Sequence, residues 1–272
     1  MIHRIKFYKL SATGNDFILL DARETDLSGE EYKLFRIMCA RRTGIGADGV
    51  LLLAPDETSH FRMHYYNADG HPSPMCGNGA RAAAYYAFHF GLAPMEMEFM
   101  VADERISASV EGKMVSVLLQ KPERLTLDVG AVEHEQLEEI GYVVVGVPHY
   151  VLTSKQELEK LNVSELGAYY RRHKAFEPSG TNVSFLSEWM PATYRIRTYE
   201  RGVEEETLAC GTGVTAAACL LHERQGIPFP MTFQARGGPL RVDWDQQADR
   251  PRLKGEVRLV YVGEYYHYVA DD

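Results

Sequence analysis

The chain has little cysteine, a shortage of positive charge and no long apolar run. Four cysteines in 272 residues are too few for a disulfide framework. No Cys-X-X-Cys joins two of them for redox exchange. Lys and Arg number 29 against 38 Asp and Glu, a net charge of −9, which speaks against nucleic acid as a partner because phosphate binding needs a basic face. No segment approaches the roughly 20 consecutive apolar residues of a membrane span. Residues 1–10 alternate charged and apolar side chains, without the continuous apolar stretch of a signal peptide. There is no Gly-X-Ser-X-Gly elbow, no low-complexity tract and no short-period repeat. His60 and His64 lie four apart in a strand-like stretch without a third metal ligand in view. His71, His89, His134 and His173 read as surface or packing residues. What is present, 45% apolar and 25% charged residues, is ordinary globular composition. At about 150 residues per domain, the length corresponds to roughly 1.8 domains. The expectation is a cytoplasmic protein with reduced thiols, a small-molecule ligand, no metal, no nucleic acid and no membrane.

Short strands alternate with a few helices. Residues 3–10 and 17–21 read as strands broken at Gly14-Asn-Asp16. Ser28-Gly-Glu-Glu31 is a capping box ahead of an apolar stripe at Leu34, Phe35, Met38 and Cys39. Strands are expected near 50–53 and 61–67, and a helix from Gly77 to about Phe90 with Gly91 as its stop. Three β-rich stretches follow at 95–101, 105–110 and 113–120, and Lys121-Pro-Glu123 is a plausible boundary. The second half has a strand near 142–147, a capping box at Ser154-Lys-Gln-Glu157 and a short helix around 164–172. Strands near 182–186 and 194–200 then precede a helix from Gly211 to about Gln225, closed by Gly226 and Pro228.

The informative pattern is a long-range repeat. Cys76-Gly-Asn-Gly-Ala-Arg-Ala-Ala-Ala84 aligns with Cys210-Gly-Thr-Gly-Val-Thr-Ala-Ala-Ala218, identical at six of nine positions. Upstream, Phe61–Tyr66 resembles Tyr194–Tyr199. Gly14-Asn-Asp-Phe17 is read as the counterpart of Gly180-Thr-Asn-Val183. The two halves therefore look like copies of one unit: strand, loop, Cys-Gly-X-Gly, Ala-rich helix. Both helices are apolar almost all round, as expected of a helix buried inside a sheet.

Each Cys-Gly-X-Gly turn brings backbone N–H groups to a helix start, where the free N–H groups and the dipole favour an anion such as a carboxylate. A cysteine there is expected to have a lowered pKa. Two such sulfurs point to inversion of an sp³ carbon. One removes the α-proton as thiolate, and the other protonates the opposite face as thiol. The enediolate charge between these steps would be held by the helix N-termini. Cys39 and Cys219, on apolar helical stretches, read instead as small buried hydrophobes. Gly44-Ile-Gly-Ala-Asp-Gly49 fits the dinucleotide-binding G-x-G-x-x-G spacing, but it follows a helix where that motif needs a strand. The match is read as the physics of anion binding without that function.

Ala12–Phe17, Arg42–Gly49, Asn67-Ala-Asp-Gly70, Cys76–Arg81, Pro148-His149, Asn182-Val183, Tyr199–Gly202 and Cys210–Gly213 together resemble the diaminopimelate epimerase family, in order and over nearly the whole chain. The resemblance implies an α+β fold of two pseudo-symmetric domains, each a β-barrel-like sheet around a central buried helix. Residues 1–120, joined by 263–272, would form one domain and residues 121–262 the other. It implies interconversion of LL- and meso-2,6-diaminopimelate without a cofactor, in lysine and peptidoglycan precursor synthesis. Cys76 and Cys210 would be the catalytic pair, supported by His149 and Glu200. Asn15, Asn67, Gly77, Asn78, Asn182, Glu200, Arg201, Gly211 and Thr212 would contact the substrate. Arg201 offers a bidentate fork for a distal carboxylate. A homodimer is one expected assembly. Two positions depart from the family pattern. Val147 stands where an Asn is common, removing a polar contact at the substrate's far end, and Gly49 stands where a Gln is common. A racemase of another amino acid, of histidine or proline type, is the alternative. Phenazine-biosynthesis relatives lack the cysteine pair.

Overall fold

The structure, a computed structural model, describes residues 2–25, 27, 31–73 and 75–268. The chain divides into two compact units, Met1–Val117 with Glu256–Asp272, and Leu118–Gly255.

In the first unit, β1 (Ile2–Ala12) and β2 (Asn15–Asp21) form an antiparallel hairpin. Helix α1 (Tyr32–Cys39) carries the chain to β3 (Gly49–Ala54), which runs parallel to β2. Next come β4 (Arg62–Asn67), antiparallel to β3, then the two-residue β5 (Pro72–Ser73) and helix α2 (Gly77–His89). Strand β6 (Glu96–Val101) pairs parallel with β4, and β7 (Glu104–Glu111) and β8 (Met114–Leu118) complete a meander.

The second unit contains β9 (Glu123–Thr126), β10 (Leu137–Val145), β11 (Val147–Ser154), α3 (Val163–Arg171), β12 (Asn182–Met190) and β13 (Thr193–Glu200). It continues with β14 (Glu205–Thr207), α4 (Gly211–Gln225), β15 (Met231–Ala235), β16 (Gly238–Asp245) and the start of β17 (Arg250–Tyr268). From Val257 onward β17 pairs with β1, and the Val257 amide donates to the Lys113 carbonyl at 2.9 Å. The first unit's sheet thereby closes into a barrel. Likewise, in the second unit, the Leu119 amide donates to the Pro251 carbonyl of β17 just ahead of β9.

The two topologies match strand for strand. The hairpin β1–β2 corresponds to β10–β11. Each passes through a helix to a parallel strand, β3 or β12, then to an antiparallel partner, β4 or β13. Each then runs through a buried helix to a parallel strand, β6 or β15. The registers fix the residue correspondence. The row Ile18–Val50–Tyr66 in one unit matches the row Tyr150–Val183–Tyr199 in the other, so Phe17 corresponds to His149, Gly49 to Asn182 and Asn67 to Glu200. Asn15, two residues before Phe17, therefore corresponds to Val147, two residues before His149. The sequence pairing of Gly14–Phe17 with Gly180–Val183 is thus corrected. Both segments turn into a strand, so they share turn chemistry, but the strands are β2 and β12, which are not equivalent.

The helices explain the layering. In α2, Ala80, Ala82, Ala83, Ala84 and Ala87 are all buried, and α4 buries Ala216, Ala217 and Ala218. Small side chains let the surrounding strands come close to the helix. Helix α2 lies against β1, β2, β3, β4 and β7, and α4 against β10, β11, β12 and β16. Strands β2 and β3 are buried on both faces, as expected of strands covered by a helix on each side. Leu34, Phe35, Met38 and Cys39 of α1 pack on Ile18, Leu20, Val50 and Leu52. Each large apolar side chain buried there contributes about 1.5–3 kcal/mol, which outweighs any local propensity. Gly226 ends α4 in the left-handed conformation, φ 66°.

Of the capping box at Ser28–Glu31 only Glu31 lies within the described residues, at the N-cap of α1. The one at Ser154–Glu157 caps no α-helix: the Ser154 hydroxyl bonds Gln156 locally, and α3 is capped by Asn162, whose side chain accepts from the Glu165 amide. Strand β11 is an addition to the sequence reading, which ended its strand at Val147.

Candidate active site

In the first unit the Cys76 backbone is extended, φ −139°, so that Sγ turns back over the helix start and accepts from the Gly79 amide at 3.4 Å. A Cβ on Gly79 would stand 3.1 Å from Leu51 Cδ2 and 3.7 Å from Sγ, so glycine keeps the space beside the sulfur open. As a thiol, Cys76 donates to Asn15 Oδ1 at 3.8 Å, and Asn78 Nδ2 donates to the same oxygen at 3.2 Å. Asn15 Nδ2 in turn donates to Asp48 Oδ2 at 2.6 Å. Arg41 bridges Asp16 and Asp48 at 2.8 and 2.6 Å, and Lys9 pairs with Asp16 at 2.6 Å. Burial alone would raise the Asp16 pKa; hydrogen bonds from Arg41 and Lys9 outweigh it and hold the carboxyl below its usual range. This charged frame fixes Asn15 from behind. Asn67 ends β4 in a tight turn, with its amide bonded to the His71 carbonyl and its side chain exposed, apart from the Cys76 hydrogen bonds among the described residues.

In the second unit Cys210 occupies the equivalent position at the start of α4, with φ −114° and Thr212 Oγ1 3.5 Å from Sγ. A Cβ on Gly213 would meet Ser184 Oγ at 3.0 Å and Cys210 Sγ at 3.3 Å. Asn182 is clamped between the Arg201 amide, which donates to its Oδ1 at 2.7 Å, and the Pro148 carbonyl, which accepts from its Nδ2 at 3.2 Å. Thr207 donates to Glu200 Oε1 at 2.5 Å. The half-buried Arg201 donates to the Ser179 carbonyl at 3.3 Å. His149 is 0% exposed, and neither ring nitrogen has a hydrogen-bond partner among the described residues. Burial, reinforced by the nearby Arg201 charge, pushes its pKa down to about 3, so the ring is neutral at ordinary pH.

The expectation of a lowered pKa at both helix starts fails for Cys210. Burial raises its pKa well above the ordinary thiol value, and the Glu200 carboxylate raises it further; Thr212 and the Gly213 amide pull it down by less. Desolvation and the carboxylate at the end of β13 outweigh the pull of the helix terminus on this sulfur. Cys39 and Cys219 are buried thiols pushed up to about 12 by burial, in keeping with packing residues.

The Gly44–Gly49 segment has no free anion cradle at its start. The Ile45 and Gly46 amides both donate to the Met38 carbonyl, and the Ala47 amide donates to Cys39. These glycines close the end of α1: a Cβ on Gly44 would lie 2.1 Å from the Ile37 carbonyl. Gly49 has no room for a side chain either, with Tyr66 O at 2.5 Å and a Tyr65 ring carbon at 2.7 Å from its Cβ position.

Sequence reasoning missed Arg81, read only as part of the Cys76 motif. It is 0% exposed and donates from Nη2 to Asn78 Oδ1 at 2.9 Å and Thr13 Oγ1 at 3.0 Å. The available signal was a single arginine three residues after Asn78 in an otherwise alanine-rich helix.

Comparison with known proteins agrees with this architecture. The family described as "Diaminopimelate epimerase" matches residues 7–125 and 141–264. The diaminopimelate epimerase of Aquifex aeolicus is 37% identical, over 98% of this chain and all of that protein. That of Chlorobaculum tepidum is 40% identical, over 93% of this chain and 98% of its own length. Among solved structures, a phenazine biosynthesis protein of the PhzF family from Bacillus anthracis superposes with a TM-score of 0.74, covering 98% of this chain and 100% of that one. At 14% identity it speaks for the fold alone. No helix among the described residues is long and apolar enough to cross a membrane. The chain belongs to the diaminopimelate epimerase family and is an isomerase, an epimerase by its kinship.

Proposed function

We propose that the chain interconverts LL- and meso-2,6-diaminopimelate by moving the α-proton between two cysteines, without a cofactor. The observation that carries this reading is the duplicated helix start, with Cys76 and Cys210 as equivalent N-caps of the buried α2 and α4. Inversion needs one sulfur on each face of the α-carbon. In one direction the Cys76 thiolate removes the proton and becomes a thiol. The electron pair left on carbon delocalises into the carboxylate as an enediolate. The Cys210 thiol then delivers its proton to the opposite face and becomes a thiolate. The reverse reaction starts from the opposite protonation states. Cys76 has a partner in both states, the Gly79 amide as thiolate and Asn15 Oδ1 as thiol. Cys210, buried beside Glu200, rests as the thiol. The amides at Gly77-Asn78 and Gly211-Thr212 hold the reacting carboxylate and take up the enediolate charge. Arg201, Asn182, Asn67 and Asn15 bind the remainder of the substrate, and His149 and Glu200 tune Cys210.

The test is incubation with LL-diaminopimelate in D₂O, following α-deuterium by NMR and the meso product by chiral chromatography. Absence of both rejects the reading. Cys76→Ala and Cys210→Ala each lower kcat by at least about 10³, the scale of losing an acid/base group; wild-type turnover in either variant excludes two-thiol chemistry.

A further inference from the structure

We propose that Arg81 is a positioning residue of the Cys76 half-site: it locks Asn78 and the Thr13–Asn15 turn in place and sets a buried positive charge behind the sulfur that removes the α-proton. The inference rests on the reading of Cys76 as the base.

Arg81 joins two pieces of backbone that have to meet. Its side chain points back along α2, the direction a helical side chain takes, and Nη2 reaches both Asn78 and Thr13. Asn78 then has its carbonyl oxygen on Arg81 and its amide nitrogen on Asn15, so its amide plane is fixed at both ends. Thr13 has φ 54° in the β1–β2 turn. That conformation is rare for a β-branched residue and costs on the order of 1–2 kcal/mol. The hydrogen bond from Arg81 secures this turn two residues before Asn15, the side chain that Cys76 and Asn78 share.

The charge is the second half of the argument. Nε and Nη1 are buried and carry three N–H groups without partners among the described residues. A buried guanidinium without a counter-charge is costly. Burial lowers the Arg81 pKa only to about 10, so it stays cationic at neutral pH, and Cys76 is the titratable group that acts against that lowering. A thiolate on Cys76 supplies the missing negative charge.

Other charges around α2 are engaged elsewhere. Arg4 and Lys6 of β1 pair with Glu264 and Glu24. Lys9 and Asp16 pair with each other and, through Arg41, with Asp48. Asp21 of β2 is held by Arg23 and Tyr86. Arg62 of β4 is paired with Asp56, and His64, Tyr65 and Tyr66 complete that strand's titratable groups. On β7, Arg105 pairs with Glu98, and Glu104 and Glu111 are exposed. The second unit has no cation at the matching position. There Thr215 donates to the Gly211 carbonyl, and Glu200 sets a negative charge by Cys210.

The experiment is alkylation by iodoacetamide across pH 5–10, with each cysteine quantified by peptide mass mapping. In the unmodified chain the Cys76 midpoint falls below that of Cys210. In Arg81→Met the Cys76 midpoint rises by about one unit or more and its rate at pH 7 drops about tenfold, since one unit is a tenfold change in thiolate. Arg81→Lys keeps the midpoint within about half a unit but lowers kcat, because the fork that holds Asn78 and Thr13 is gone. A Cys210 midpoint below that of Cys76 in the unmodified chain overturns the proposal, and so does a folded Arg81→Met with the parental profile. If Arg81→Met does not fold, the unmodified chain and Arg81→Lys decide it. Failure of the epimerase reading is seen separately, as absent α-deuterium exchange with the alkylation profile as described.

Discussion

Replacing His149 with Phe should stabilise the protein, and more so in acid. Phe is the residue at the equivalent position of the first unit, where Phe17 is 0% exposed. His149 is equally buried, and its two ring nitrogens have no partner among the described residues. Its folded pKa of about 3, set by burial and then by Arg201, lies below the roughly 6.5 of an unfolded histidine. Between those values the unfolded chain binds the extra proton, so stability rises with pH and is lost as pH falls below about 6.5. From pH 7.5 to pH 5 this costs the parent about 2 kcal/mol at 1.36 kcal/mol per unit. For a chain of this size, with an unfolding entropy of about 0.6 kcal/mol/K, that is a Tm difference of roughly 3–4 °C. It is larger if the second unit melts by itself. His149→Phe lacks this dependence. Every carboxylate titrates alike in both proteins, so the difference between their melting temperatures isolates His149. Any cost of fitting the larger ring is the same at both pH values and cancels. Scanning calorimetry at pH 5.0 and 7.5 reads the result: the gap between variant and parent widens in acid by roughly 3–4 °C. An equal gap at both pH values would refute the argument that the imidazole is held neutral by burial.

Three further outcomes follow from single contacts. Glu200→Gln removes the carboxylate that raises the Cys210 thiol, so the Cys210 alkylation midpoint should fall by about one unit; an unmoved midpoint would assign the whole effect to burial. Gly70→Ala places a Cβ 2.0 Å from the Tyr32 carbonyl at φ +87° and should cost about 3 kcal/mol or more, seen as a lower urea midpoint. Asn162→Ala removes the side-chain cap of α3 and should cost about 1 kcal/mol, a fall of about 2 °C in Tm.

The elements that carry the cysteines were readable because their signals are local. Alanine runs bounded by Gly91 and Gly226 mark α2 and α4, and the Cys-Gly-X-Gly repeat marks their starts. Strand β11 was not readable as a separate element. Its residues Tyr150, Val151 and Leu152 are buried in succession, so the period-two alternation is absent, and Pro148 interrupts the pattern. The match between Gly14–Phe17 and Gly180–Val183 was misread for a different reason: a Gly, an Asn and an apolar residue at the head of a strand describe many turns, whereas register is a long-range property. Arg81 was passed over because one arginine on a helix ordinarily faces water, and its burial depends on Thr13, 68 residues away in sequence.

The structural correspondence also gives the departure at Val147 a physical meaning. Asn15 is the residue on which Cys76, Asn78 and Asp48 converge, and Val147 is its counterpart beside the other cysteine's strands. A valine can accept no hydrogen bond, so the second unit has lost this way of holding a thiol. It has instead a carboxylate at Glu200, where the first unit has the neutral Asn67, and a threonine at 215, where the first has Arg81. The same backbone device is thus surrounded by opposite charge in its two copies, a cation behind Cys76 and an anion beside Cys210. The two-thiol chemistry proposed above starts each turnover with one sulfur as thiolate and the other as thiol, and two identical half-sites would leave that choice to chance. On that proposed chemistry, the unlike side chains around the repeated turns favour Cys76 as the resting thiolate and Cys210 as the resting thiol, and the reverse reaction starts from the opposite pair.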